Sequence, residues 1–248
     1  MTRATRPMMG MPITVEVVAP DPSDLIEEAF AHFAEVDARF SPYRPDSEIS
    51  AINAGRIGLG EVSAPMREVF ALAERTRRDS DGYFDMRRPQ GGLDPSGIVK
   101  GWAILNAARI LERAGVKNYF VDAGGDIQSA GANASNEPWI IGVRNPFEAA
   151  TVIKRIAPGG RGVATSGTSA RGQHIYDPKR PGRTIDEVVS ITVIGPDILE
   201  ADRFATAAFA MGKAGLAFID RIAGCEGYMV GADGRAAWTR GFGGFVAQ

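Results

Sequence analysis

The chain has 248 residues, 44% of them hydrophobic and 23% charged, with a formal net charge of −2. That is the balance of an ordinary globular protein, long enough for one large core or two fused halves. The near-neutral charge leaves no broad basic field for nucleic acid, and no stretch approaches the roughly 20 apolar residues of a membrane helix.

The single cysteine, Cys225, excludes an intrachain disulfide or a cysteine-based metal cluster. Its apolar neighbours predict a small buried hydrophobe rather than a nucleophile. Residues 1–11 are basic without the apolar core of a signal sequence, so the chain as written reads as cytoplasmic. A periplasmic location stays open if a leader has been removed.

Taken in order, Ile13 to Val18 is a β-branched run closed by Pro20-Asp21-Pro22 and predicts a strand. A helix follows from Asp24 to Phe40, with Ile26, Phe30, Phe33 and Val36 as its buried stripe and His32 off that stripe on the surface. A second helix spans Ala64 to Asp79, capped by Ser63 with Pro65 in its first turn. A third runs from Val99 to Ala114 and closes at Gly115. Strands are expected at Asn118–Val121, Trp139–Val143, Gly162–Ala164 and Val188–Ile194, then helices at Leu199–Met211 and Gly215–Ile222. The chain ends in a hairpin, Tyr228–Val230 with Ala236–Thr239, turned at Asp233-Gly234. Helices and strands mix without the regular alternation of a doubly wound sheet, which predicts one compact α+β domain over 1–248.

Four segments carry polar residues where a core needs none. Phe40-Ser41-Pro42-Tyr43, followed by Ser47, Glu48, Ile49 and Asn53, reads as a loop whose serine caps a short helix. Gly82-Tyr83-Phe84-Asp85 precedes Asp94-Pro95-Ser96-Gly97-Ile98-Val99-Lys100-Gly101, where an acidic residue, a small-residue turn and a helix start can dock an anion. Helix capping explains that spacing equally well. Asp122-Ala123-Gly124-Gly125-Asp126 is either a plain turn or a close backbone approach to a ligand. In Ala201-Asp202-Arg203-Phe204-Ala205-Thr206, two oxygen-bearing side chains four residues apart share a helix face and can present to one hard cation. The alternative there is an acidic residue complementing the helix dipole beside a surface threonine. His174, after Ala164-Thr165-Ser166-Gly167 and within Gln173 to Pro178, suits proton transfer near neutral pH, although a histidine near a turn is also commonly structural.

As an ordered set, from Met9-Gly10 nearly to the C-terminus, these segments resemble the FAD:protein FMN transferase (ApbE) family. The resemblance implies an α+β, T-fold-like body of mixed sheets and helices with FAD in a cleft between two parts. It implies FAD contacts at Met9, Tyr43, Tyr83, Phe84, Asp85, Asp94, Lys100 and Ile175. It also implies magnesium on Asp202, Thr206 and the backbone carbonyl of Gly97, with His174 and Asp202 as the catalytic pair and Asp177 as an alternative base to His174. The sequence departs from the family pattern at Met11-Pro12, where threonine is common after Met-Gly, and at Pro95. The implied activity is Mg2+-dependent transfer of FMN from FAD to a Ser/Thr hydroxyl of an acceptor protein, releasing AMP. Two alternatives share the site: an FAD pyrophosphatase giving free FMN and AMP, and a non-catalytic FAD carrier.

Overall fold

In the computed structural model, the structure describes residues 1–148, 150–168 and 175–247. Its centre is an eight-stranded, wholly antiparallel sheet in the order β1-β2-β3-β4-β7-β8-β9-β10. Strand β1 (Thr2–Met8) pairs with β2 (Met11–Val17) across the turn Met9-Gly10, and β3 (Tyr119–Ala123) lies on the other side of β2. Strand β4 (Asp126–Ala130) returns beside β3 through Gly124-Gly125. Both glycines have positive φ (65° and 97°), as both central residues of a two-residue hairpin turn of this hand require. The other half of the sheet consists of β7 (Gly162–Gly167), β8 (Val188–Gly195), β9 (Glu226–Gly231) and β10 (Ala236–Trp238).

The seam between β4 and β7 is mostly sewn by side chains. One residue pair, Ile127 with Val163, continues the ladder there. Beside it Asp126 Oδ1 accepts from the Thr165 N–H at 3.0 Å, and Gln128 accepts from the Ile198 N–H and donates to the Gly160 carbonyl, each at 2.9 Å.

Helices cover one face. The predicted stripe of α1 (Ser23–Phe40) is buried at Ile26, Phe30, Phe33 and Val36, and α3 (Ala64–Asp79) starts with the Met66 N–H donating to Ser63 Oγ at 3.3 Å. The short α2 (Glu48–Asn53) is capped by fully buried Ser47. Helices α4 (Ser96–Arg113) and α5 (Ile198–Ala210) bury residues on nearly every side, and α6 (Gly215–Ile219) is a brief final turn. A two-stranded sheet of β5 (Ile141–Arg144) and β6 (Val152–Ile156) contributes to a second apolar cluster that includes Ile127, Val163, Ile194, Tyr228 and Phe242. No helix among the described residues is long and apolar enough to cross a membrane.

Several elements differ from the sequence-based expectation. Strand β1 carries Arg3, Arg6 and Pro7 and lacks an apolar face of its own, which an edge strand tolerates. Strand β4 opens on Asp126, expected as the end of a turn, and β6 places Lys154 and Arg155 in a small two-stranded sheet. His32 is half-buried rather than on the surface. Its Nε2 lies 3.2 Å from the Ala103 carbonyl and its ring is 5.9 Å from that of Trp102, so α4 packs over it. Cys225 is buried as expected, and burial pushes its thiol up to about 12.

Candidate active site

Helices α4 and α5 cross at close range, and glycine makes it possible. A Cβ at Gly101 would stand 2.8 Å from Asp202 Cβ and 2.9 Å from the Ile198 carbonyl oxygen. A Cβ at Gly97 would stand 3.2 Å from Thr206 Cγ2 and 2.9 Å from the Phe84 ring. The four-residue spacing of the glycines therefore matches the four-residue spacing of Asp202 and Thr206, and each glycine faces one of them.

The Gly101 N–H donates to Asp202 Oδ2 at 2.8 Å. In a regular helix that N–H points at the carbonyl of residue 97. Shared or diverted, it leaves the Gly97 carbonyl a lone pair for another partner. Gly97 and Thr206 thus meet at one level of the crossing, and Gly101 and Asp202 at the next.

Charge accumulates beside them. The Lys100 ammonium lies 2.5 Å from Asp126 Oδ2 and 3.7 Å from Asp202 Oδ1, with the Asp126 and Asp202 side chains only 2% and 3% exposed. Burial raises the Asp202 carboxyl far above the usual carboxylate range; the neighbouring Asp126 charge pushes the same way, and Lys100 and the Gly101 N–H oppose it. Two buried carboxyl groups against one ammonium call for a further positive charge, which a proton on Asp202 or a bound cation can supply.

A hard divalent cation suits this donor set. One carboxylate, one hydroxyl and one carbonyl form the sparse oxygen set of magnesium, which keeps several waters and takes substrate phosphate rather than a full protein cage.

The remaining predicted residues stand in several different settings. Phe84 is buried with its ring against Gly97, and its N–H is held by Ser80 Oγ at 3.0 Å. Asp94 accepts from the Ser96 N–H at 3.0 Å, turning the chain into α4, and Asp85 accepts from the Arg87 N–H at 2.8 Å. The Tyr176 hydroxyl donates to the carbonyls of Asp85 and Arg87, tying the segment beginning at Ile175 to this loop. Ile175 itself is partly buried against the main core. Asn53 both donates to the Leu93 carbonyl and accepts from its N–H, which joins α2 to the same loop. Tyr83 carries the Lys179 ammonium 4.4 Å from its ring centre. Tyr43 projects from the loop before α2 and is 90% exposed, whereas Met9 sits at φ 52° in the β1–β2 turn. His174 lies outside the described residues. Asp177, the alternative base, is wholly buried, with the Lys179 N–H at 2.9 Å and Arg183 at 3.3 Å, so its carboxylate is already engaged.

Sequence reasoning named the segments that hold Asp126 and Thr165 but gave neither residue a role in this centre. The available signal was a charged residue opening the otherwise buried run Ile127 to Ser129 of β4.

Comparison with known proteins bears on this arrangement. The model of the ApbE family matches residues 9–88 and 86–229. The chain is 32% identical over 157 residues to the FAD:protein FMN transferase of Salmonella typhimurium, an alignment covering 59% of this chain and 45% of that protein. It thus spans a little under half the length of that relative. The solved structure of the flavin transferase ApbE of Vibrio cholerae superposes with a TM-score of 0.85 at 26% identity, covering 98% of both chains. The ApbE protein of Thermotoga maritima shares the fold, with a TM-score of 0.87 at 23% identity over 100% of this chain and 99% of that one. Matched by the family model over most of its length, this chain belongs to the ApbE family.

Proposed function

We propose that this protein is a magnesium-dependent FAD:protein FMN transferase, moving FMN from FAD to a serine or threonine hydroxyl of an acceptor protein and releasing AMP. The observation that carries the reading is the α4–α5 crossing, where Gly101 and Gly97 face Asp202 and Thr206 beside the Lys100–Asp126 ion pair. The names of the Salmonella and Vibrio relatives support the same activity.

Asp202, Thr206 and the Gly97 carbonyl would hold the cation. When bound, magnesium neutralises phosphate charge and stabilises the AMP leaving group. Met9, Tyr43, Tyr83, Phe84, Asp85, Asp94, Lys100 and Ile175 are assigned to FAD. In this assignment Phe84 acts as a fixed wall, while exposed Tyr43 is free to close over the ligand. The acceptor hydroxyl attacks the FMN phosphorus, forming a phosphoester bond to the protein as the bond to AMP breaks. The hydroxyl proton is assigned to His174, since the engaged carboxylate of Asp177 is poorly placed to take it. Most of the rate enhancement would come from positioning and electrostatics.

The test is AMP release from FAD with magnesium, with and without an acceptor bearing an exposed Ser/Thr flavinylation motif. AMP matched by covalent flavin on the acceptor, with both lost in Asp202→Ala, is the expected result. AMP without labelling would favour the FAD pyrophosphatase, and bound FAD without AMP would favour a carrier. An Asp202→Ala protein that transfers FMN at the parental rate would remove the metal assignment.

A further inference from the structure

We propose that Tyr176 is a positioning residue for FAD: its hydroxyl latches the ribbon of residues 85–94, which carries Asp85 and Asp94, to the segment that begins at Ile175. The inference rests on the FAD assignment made above for those two carboxylates.

Residues 85–94 fold back on themselves as a short two-stranded ribbon. The Asp94 N–H donates to the Met86 carbonyl at 2.7 Å and the Arg88 N–H to the Gly92 carbonyl at 3.0 Å, with Arg87 bridged to Leu93. That pattern turns the backbone groups of Arg87 and Leu93 outward, to the two edges of the ribbon. Side chains hold both edges. Asn53 takes both backbone groups of Leu93, accepting from its N–H at 2.7 Å and donating to its carbonyl at 2.9 Å. On the other edge, Asp85 accepts from the Arg87 N–H at 2.8 Å. There the Tyr176 hydroxyl donates to the Arg87 carbonyl at 2.7 Å and shares its proton with the Asp85 carbonyl at 3.0 Å.

The two ends of this latch are held with unequal firmness. Tyr176 lies between Ile175, packed against the main core, and wholly buried Asp177, which accepts from the Lys179 N–H and faces Arg183. The ribbon has less to hold it: Met86 and Leu93 touch the core, while residues 87–92 are exposed. A two-stranded ribbon is marginal by itself, so its side-chain ties decide how well Asp85 and Asp94 are kept in place. Burial pushes the Tyr176 phenol up to about 12, and the neighbouring Asp85 and Asp94 charges push the same way. The hydroxyl therefore keeps its proton to donate at neutral pH.

The experiment compares the unaltered protein with Tyr176→Phe, which keeps the ring and removes only the hydroxyl. Limited trypsin treatment reads the latch directly, because trypsin cuts after Arg87, whose carbonyl is the group Tyr176 holds. Mass spectrometry follows cleavage at that bond, and quenching of FAD fluorescence on rapid mixing with magnesium, ahead of turnover, gives the Kd. A net hydrogen bond is worth about threefold to tenfold in such equilibria. Tyr176→Phe is expected to be cut after Arg87 about threefold to tenfold faster and to bind FAD about threefold to tenfold more weakly. Its Tm should stay within about 4 °C of the parent, showing that the fold survives. An unchanged cleavage rate would overturn the inference, since the hydroxyl would not be holding the ribbon. Faster cleavage with unchanged FAD affinity would overturn it too, because the latch would then be structural without positioning FAD. If the unaltered protein binds no FAD, the proposed flavin transfer falls, and this inference falls with it.

Discussion

Gly101→Ala separates positional from conformational roles of glycine at the site. Gly101 has an ordinary helical backbone, so alanine should gain about 1 kcal/mol of helix propensity. Against this, the added methyl would lie 2.8 Å from Asp202 Cβ and 2.9 Å from the Ile198 carbonyl oxygen. Ordinary contact distances are about 3.5–4.0 Å, so α4 and α5 must part by about 0.7–1 Å. Overpacking of this kind costs about 1–3 kcal/mol. The net effect is a destabilisation of about 1 kcal/mol, or about 2–4 °C in Tm for a chain of this size. The same displacement moves Asp202 relative to Gly97, and a shift of about 1 Å at a reacting centre costs about a hundredfold in rate. The assay pairs thermal unfolding with AMP release from FAD, and the expected signature is an activity loss far larger than the small fall in Tm explains. A variant that melts higher than the parent and turns over within about twofold of it would refute the tight-crossing argument.

Other outcomes follow from separate features. Burial depresses the His32 imidazolium, so the unfolded chain takes up that proton first; stability is full above about pH 6.5 and declines as pH falls through the depressed folded value, by up to about 1.4 kcal/mol per pH unit. Urea unfolding of His32→Gln should lose that component of the slope, and an unchanged pH profile would exclude it. Ser47 accepts from the Ser50 N–H at 3.1 Å and donates to the Ser41 carbonyl at 2.7 Å while fully buried, so Ser47→Ala should cost about 1–2 kcal/mol in chemical denaturation. Tyr43→Ala removes a ring that is 90% exposed, so Tm should hold while the KM for FAD rises about twofold to tenfold. An unchanged KM would take Tyr43 out of the FAD contacts.

The four longest helices announce themselves in the sequence because each follows simple local rules. Ser63 and Pro65 mark the start of α3, and Ile26, Phe30, Phe33 and Val36 mark the buried side of α1. Asp202 and Thr206 are legible as a pair because helical spacing alone puts them on one face. What they face is not legible, since the crossing depends on Gly97 and Gly101 meeting a helix about a hundred residues away. The same holds for Asp126. In the sequence it looks like the end of a glycine turn, and only the pairing of β4 with β7 turns it inward to Lys100. Strand β1 was hidden because its partner supplies the apolar face, and His32 because its environment belongs to α4 rather than to its own helix.

The sewn seam between β4 and β7 also orders events during synthesis. Strands β1 to β4 come from residues 2–130 and β7 to β10 from residues 162–238, so each half of the sheet is a contiguous stretch of chain. At ribosomal rates the first half waits on the order of ten seconds for the second. During that interval β4 is an unprotected edge, the kind of surface that recruits neighbouring nascent chains. Its sequence, Asp-Ile-Gln-Ser-Ala, carries polar groups at three of five positions. The carboxylate and amide that later hold Thr165 and Ile198 thus first serve as gatekeepers, discouraging a half-made protein from pairing with its own copies.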